Sequence, residues 1–477
     1  MNNGDGLDLV IRGGTVVTAS DTFRADVGIR DGRIALLAET ITGARETLDA
    51  GGLMVLPGGV DAHCHLAQPP KGKVEYADDF ESGTLSALAG GTTTVMPFAL
   101  QLPDMSLRES VDDYHGKANG KAAIDYAFHL ILTDTSPQIL GQELPALIRD
   151  GYNSFKIFMT YDDFRLDDRE ILEILAVAGR EGGLVMVHAE NHHCIQWMSD
   201  ELVSAGKKEP KYHATSRPMA VEREATHRAI SLAEVADVPV FLVHVSAREA
   251  AEQIAWARDR GLPVYGETCP QYLCLSEEDL DRPGFEGAKF ICSPPPRDAA
   301  NPAALWRALQ LGTLQLVSSD HSPTRFDDPK GKMVGGTDAP FTKVPNGIPG
   351  LETRLSLIWT EGVATGRITA NQFVDLTATA PAKMYGLSQK GRIAIGADAD
   401  IVLWDPDRRT TIRNEDQHHN MDYTPYEGFD VTGWPVTTLS RGEVVWQDGA
   451  IKAEPGRGRF IVCETPGPMV QAANKGA

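Results

Sequence analysis

Apolar and polar residues change rhythm along this chain. From Leu7 to about Leu53 they alternate in short bursts, as in Leu9-Val10-Ile11-Arg12, Thr15-Val16-Val17 and Val27-Gly28-Ile29-Arg30, separated by glycine and aspartate turns. That texture predicts β structure with little helix. It returns in Ala399-Asp400-Ile401-Val402-Leu403-Trp404 and from Val436 to Trp446, with Arg441-Gly442-Glu443 as a hairpin turn. Two distant segments of like character predict one small β domain built from both ends, residues 1–56 with 386–460.

Between them, short β-rich runs alternate with helical stretches. Candidate strands are 57–64, 92–99, 124–132, 154–161, 184–190, 239–246, 263–269 and 314–320, and amphipathic helices are expected at Asp168–Glu181 and Glu222–Val235. Eight strands alternating with helices predict an α/β fold, a (β/α)8 TIM barrel over 57–385, with its active site at the C-terminal strand ends. Residues 461–477, rich in Pro, Gly and Ala towards the end, are expected to form a loose C-terminal tail or an arm on a neighbouring subunit.

The polar residues that interrupt the apolar strands carry the chemistry. His63 and His65 end the first strand, and residues two apart in a strand point to one side, here the barrel mouth. The fifth strand closes on His188-Ala189-Glu190, the sixth on His244-Val245-Ser246 and the eighth on Asp320-His321-Ser322. Packing alone does not explain polar residues at the same end of several strands, whereas a metal site does. Lys156 lies inside an apolar run, where desolvation depresses its pKa. The resulting amine can capture carbon dioxide, and the carbamate would be an anionic ligand able to bridge two cations.

Composition narrows the alternatives. The 477 residues include 66 acidic against 45 basic side chains, a formal charge of -21 without any basic run, which disfavours nucleic acid and anionic membrane surfaces as partners. No apolar run approaches the roughly 20 residues of a membrane helix, and the polar start resembles no targeting peptide. The six cysteines form no C-x-x-C pair, so free thiols in a reducing cytoplasm are expected, with Cys269 and Cys274 as core residues.

The set His63, His65, Lys156, His188, His244 and Asp320 resembles that of the amidohydrolase superfamily, in particular its cyclic amidases: hydantoinases, dihydropyrimidinases, allantoinases and dihydroorotases. The likeness covers nearly the whole chain, to Gly458-Arg459-Phe460. It implies a barrel flanked by a β-sandwich, two divalent metal ions, usually zinc, and a homotetramer. It also implies that His63, His65 and Asp320 hold the more buried ion, His188 and His244 the more exposed one, and N6-carboxylated Lys156 bridges them with a hydroxide.

Ala67 stands where dihydroorotases place a carboxylate-binding arginine, which removes the bidentate ion pair that a dihydroorotase needs. Tyr161, five residues after the lysine, is similar to the tyrosine that hydantoinases and dihydropyrimidinases direct at the carbonyl oxygen. Cys292-Ser293-Pro294-Pro295-Pro296-Arg297 and Pro345-Asn346-Gly347-Ile348-Pro349-Gly350 resemble the segments of that subgroup in which Ser293 and Asn346 bind the cyclic diamide through main-chain groups. The loop Pro69-Pro70-Lys71-Gly72-Lys73 is less apolar than in many dihydropyrimidinases, and Ser319-Asp320-His321-Ser322-Pro323 is closer to allantoinase usage. The expected activity is ring opening of a hydantoin or dihydropyrimidine to an N-carbamoyl amino acid, with Asp320 as base and acid. Allantoinase or a related imide hydrolase is the nearest alternative. A non-catalytic scaffold like the collapsin response mediators is a more distant one, since those lack the metal ligands.

Overall fold

In the computed structural model, which describes residue 4 and residues 6–475, parallel strands follow one another in sequence order around a barrel. They span Gly59–Cys64, Thr92–Leu100, a third in two pieces (Asp125–Tyr126 and His129–Ile131), Ser154–Phe158, Leu184–His188, Val240–Leu242, Val264–Thr268 and Leu316–Val317. The ring is closed between last and first by a parallel bridge from Cys64 to His321 and by two main-chain bonds, Asp320 N–H to His63 C=O (2.8 Å) and His65 N–H to His321 C=O (2.7 Å).

Most strands stop sooner than their apolar runs suggest. The fourth ends at Phe158, the sixth keeps only Val240–Leu242 and the eighth only Leu316–Val317. The chain beyond them leaves the extended region: Tyr161, His244 and Asp320 have φ of 74°, 40° and 48°. Such left-handed conformations cost a non-glycine residue about 1–3 kcal/mol and persist where the surroundings impose them, often at functional sites. Pro57, expected in the first barrel strand, instead ends a separate strand, Met54–Pro57, outside the barrel.

Helices between the strands form where the sequence caps them. Asp167 caps Asp168–Glu181, with Glu170 completing a capping box, and left-handed Gly182 ends it. Ile171, Ile174, Leu175 and Ala178 form its buried face. The second expected helix is longer, Met219–Ala236. Inside the barrel, Val60, Ala62, Met96, Phe98, Met186 and Phe241 pack together.

The flanking β-sandwich has one sheet of four strands, from Leu9–Arg12, Asp26–Arg30, Arg33–Ala38 and Glu46–Asp49. The other has seven and draws on both ends of the chain: Ile401–Thr411 pairs antiparallel with Met54–Pro57. Val16, Val27, Ile29, Val55, Ile401, Leu403 and Leu439 fill the space between. Arg441 and Gly442, both at positive φ, make the expected hairpin. At the junction with the barrel, the buried Lys390 ammonium meets Asp125 (2.6 Å), Asp400 (2.7 Å) and Asp398 (3.0 Å), and Arg441 also pairs with Asp125.

The segment expected as a loose tail is tied down as far as residue 475, and residues 476 and 477 lie outside the described residues. Ile461 N–H bonds Tyr126 C=O (2.8 Å), Cys463 N–H bonds Gly151 C=O (3.2 Å), and a helix occupies Gly467–Lys475. Its backbone finds partners along the barrel's lower rim that composition does not reveal. All six cysteines are unpaired, with Cys269 buried and Cys274 half-buried. Among the described residues no helix is long and apolar enough to cross a membrane.

Candidate metal centre

The barrel mouth collects the six residues on which the sequence reading rests. His63, His65 and Asp320 offer ligand atoms that all lie within 4.8 Å of one another. Asp320 Oδ1 is 3.1 Å from His63 Nε2 and 3.4 Å from His65 Nε2, and Lys156 Nζ is 2.9 Å from His63 Nε2. The His244 ring lies 5.4 Å from that of His63 and 4.4 Å from that of His188, which brings the second pair of imidazoles alongside the first group. An irregular register between Asp61 and Cys64 occurs where the first strand's inward row passes from Val60 and Ala62 to His63 and His65. Both of these imidazoles then pack against Phe98, at 4.7 and 5.2 Å.

Burial sets the charge states. It lowers His65 to about 4, and it lowers His188 and His244 as well, so these imidazoles are neutral, the form that binds metal. Burial also lowers Lys156 to about 8, against the pull of Asp320 and Glu267. For Asp320 burial works in the opposite direction, but His63, His65 and His244 outweigh it and hold the carboxyl well below its usual range. Burial and Lys156 depress His63, yet Asp320 and Glu267 overcome both and the net direction is up. Neutral His65, His188 and His244, with His63 and an ionised carboxylate beside them, make a donor set that suits a divalent cation, whose charge would displace any proton held by His63. Buried His244 Nδ1, which has no hydrogen-bond partner among the described residues, fits the same reading.

The cluster forms the floor of a cavity of about 790 Å³, whose walls include Phe158, Tyr161, Phe164, Arg217, Ser293, Val344 and Asn346. Burial pushes the Tyr161 hydroxyl up to about 12, so it stays protonated and can donate. The Ser293 and Asn346 side chains adjoin that hydroxyl, so the structure brings all three expected substrate contacts to one wall. Gly347 shows why this wall is built as it is: at φ 119° its absent Cβ would fall 2.4 Å from Ser322 Oγ.

Comparison with known proteins gives the chain its family. The Amidohydrolase family profile matches residues 54–445. A D-hydantoinase of Geobacillus stearothermophilus is 46% identical over 457 residues, 95% of this chain and 96% of that protein. The crystal structure of a dihydropyrimidinase from Brevibacillus agri superposes with a TM-score of 0.93 at 43% identity, covering 96% of this chain and 98% of the other. An L-hydantoinase (dihydropyrimidinase) from Arthrobacter aurescens superposes at 0.87 with 30% identity, over 96% and 100%. The chain belongs to the amidohydrolase family.

Some of the residues that organise this amidohydrolase site escape a reading by strand-end histidines. Glu267, fully buried, receives His63 Nδ1 at hydrogen-bond range and lies 3.4 Å from the His244 N–H. The signal was present, an acid inside Val264-Tyr265-Gly266-Glu267-Thr268, as anomalous there as Lys156 in its own strand. Glu190 accepts from His188 Nε2 (2.8 Å) and Arg217 (3.0 Å). Burial opposes its ionisation, but Arg217 and His188 prevail and hold it at about 2. His321 faces away from the cluster, bonded to Asp78 (3.0 Å) and to Gly350 N–H (3.2 Å). Gln68 is also spoken for, donating to Phe98 C=O and to Tyr114, both at 2.6 Å.

Proposed function

We propose that this chain opens five- or six-membered cyclic ureides by hydrolysing a ring amide, giving an N-carbamoyl amino acid or its β-analogue. The observation that carries the reading is the pairing of a His/Lys/Asp cluster on the cavity floor with a protonated Tyr161 hydroxyl beside Ser293 and Asn346 on its wall. The hydantoinase and dihydropyrimidinase names of its relatives support it.

His63, His65 and Asp320 would hold one divalent ion, and His188 and His244 a second. Lys156, as a neutral amine, would add carbon dioxide through a new N–C bond with release of a proton, so that its carbamate joins the two. Two such ions, which the imidazole-rich donor set fits as zinc, would supply Lewis acidity that lowers the pKa of water and polarises the ring carbonyl. Glu267 and Glu190 orient His63 and His188 through their other ring nitrogens. Ionised Asp320 accepts the proton of the attacking water and returns it to the ring nitrogen as the C–N bond breaks. Tyr161 donates to the carbonyl oxygen as negative charge develops there, and main-chain groups at Ser293 and Asn346 orient the alternating N–H and C=O of the ring. We take the assembly to be a homotetramer, as the family likeness implies, acting on a small molecule in the cytoplasm, the compartment its sparse cysteines point to.

Steady-state rates on hydantoin, 5-substituted hydantoins of each hand, dihydrouracil and allantoin, beside metal analysis, test the proposal. Turnover of hydantoins or dihydrouracil with two bound ions is expected. Activity confined to allantoin would favour the allantoinase alternative, and metal-free, inactive protein would favour a scaffold.

A further inference from the structure

Lys332 is a buried cation that the proposed chemistry does not use. It is 1% exposed, and its ammonium has no carboxylate partner among the described residues. It instead donates to two main-chain carbonyls, Ile291 (3.1 Å) and Pro345 (3.0 Å). Those carbonyls lie two residues before Ser293 and one before Asn346. A further main-chain bond, Gly347 N–H to Ile291 C=O (3.0 Å), runs beside them. The Lys332 backbone is itself fixed by its N–H to Arg325 C=O (2.8 Å).

We propose that Lys332 is a positioning residue that sets the spacing of the two substrate-binding segments, and thereby presents the main-chain groups at Ser293 and Asn346 before the ring arrives. The inference rests on the cyclic-ureide reading above. Burying an unpaired ammonium is costly, so packing alone would favour a leucine or methionine here. What the amine supplies instead is two N–H donors for two carbonyls on separate segments. Burial lowers it to about 7, and the neutral amine still carries the two donors that this geometry uses. If the segments without this tie hold the binding geometry a tenth of the time, apparent affinity falls about tenfold, because KM scales inversely with the competent fraction. Once ring and segments are engaged the reacting groups are unchanged, so the loss appears in KM more than in kcat.

The test compares wild type with Lys332→Met, which keeps the bulk and removes the donors, and Lys332→Gln, which keeps two N–H donors on a shorter stem. KM for hydantoin and dihydrouracil should rise about tenfold or more in Lys332→Met, with kcat within about threefold and metal content unchanged. Lys332→Gln should recover part of the loss. A KM within twofold of wild type, or a parallel fall in kcat, metal content and melting temperature, would overturn the positioning role. If Lys332→Met does not fold, Lys332→Leu is read in its place as the donor-free variant, and a KM within twofold of wild type there overturns the role as well. Wild type inactive on both rings would instead sink the cyclic-ureide reading itself.

Discussion

Replacing Glu267 by Gln removes one charge from a fully buried contact while keeping its shape. His63 turns Nδ1 to Glu267 and Nε2 to Asp320 (3.1 Å) and Lys156 (2.9 Å). The carboxylate, an acceptor only, keeps the ring hydrogen on Nδ1 and leaves the Nε2 lone pair free for an ion. An amide accepts more weakly, and it can turn its NH2 to Nδ1 and select the wrong tautomer. Loss of such a partner typically costs 10- to 100-fold in metal affinity or activity, about 1.4–2.7 kcal/mol. The pH dependence sharpens the test. Glu267 is one of the groups that raise the His63 pKa, so without it the ring gives up its proton more readily and metal meets less competition in acid. The affinity deficit should therefore be larger in alkaline than in mildly acidic buffer. Competition with a chromophoric chelator across pH, beside kcat/KM on hydantoin, measures both. Wild-type affinity in the variant, or a deficit that grows as pH falls, refutes the reasoning.

Other outcomes follow from the same site. Asp320→Asn should fold, because asparagine tolerates the φ of 48°, and should lose about 10²–10⁴-fold in turnover; a near wild-type rate would remove Asp320 from proton transfer. Lys156→Ala should lose most bound metal and regain activity with a small carboxylic acid, and retention of both ions by elemental analysis would refute a bridge at this residue. Tyr161→Phe should lower kcat about 10²-fold, near 2.7 kcal/mol, with little change in ground-state binding, and an unaffected kcat would rule out oxyanion donation. Since Lys156 is lowered to about 8, its neutral fraction grows as pH rises towards that value. Metal reloading of stripped protein should accordingly accelerate with pH and with added bicarbonate, and a rate indifferent to bicarbonate would count against the carbamate.

The barrel was legible because each strand carries a buried apolar run, and the cluster because polar residues interrupt those runs at one end. Strand lengths were not. The residues that matter most, Tyr161, His244 and Asp320, adopt left-handed backbone that only the assembled mouth imposes, and hydrophobic periodicity carries no record of it. Glu267 was missed for a different reason. It stands one residue from the end of its strand, close to where the histidines fall in theirs, but a search tuned to imidazoles passes over the carboxylate that orients one of them. Lys332 lies in a turn-rich stretch whose partners are main-chain carbonyls, which leave no mark in side-chain pattern.

The Lys390 cluster bears on how this protein can be engineered. Asp125 opens the third barrel strand, on the side away from the mouth, and its cationic partners, Lys390 and Arg441, both come from beyond residue 385. A barrel excised at residues 57–385 would lose both cations together with the main-chain bonds that join Arg459 to Asp125 and Tyr126, and would open this end of the barrel to water. The same cut would uncover Trp359 and Phe373, which pack on Trp404, and Phe128, which packs on Phe460, and exposing a large buried apolar side chain costs about 1.5–3 kcal/mol against the 5–15 kcal/mol that holds an ordinary domain together. The barrel is thus not a portable module: a graft, chimera or minimised enzyme built from it must carry the β-sandwich along.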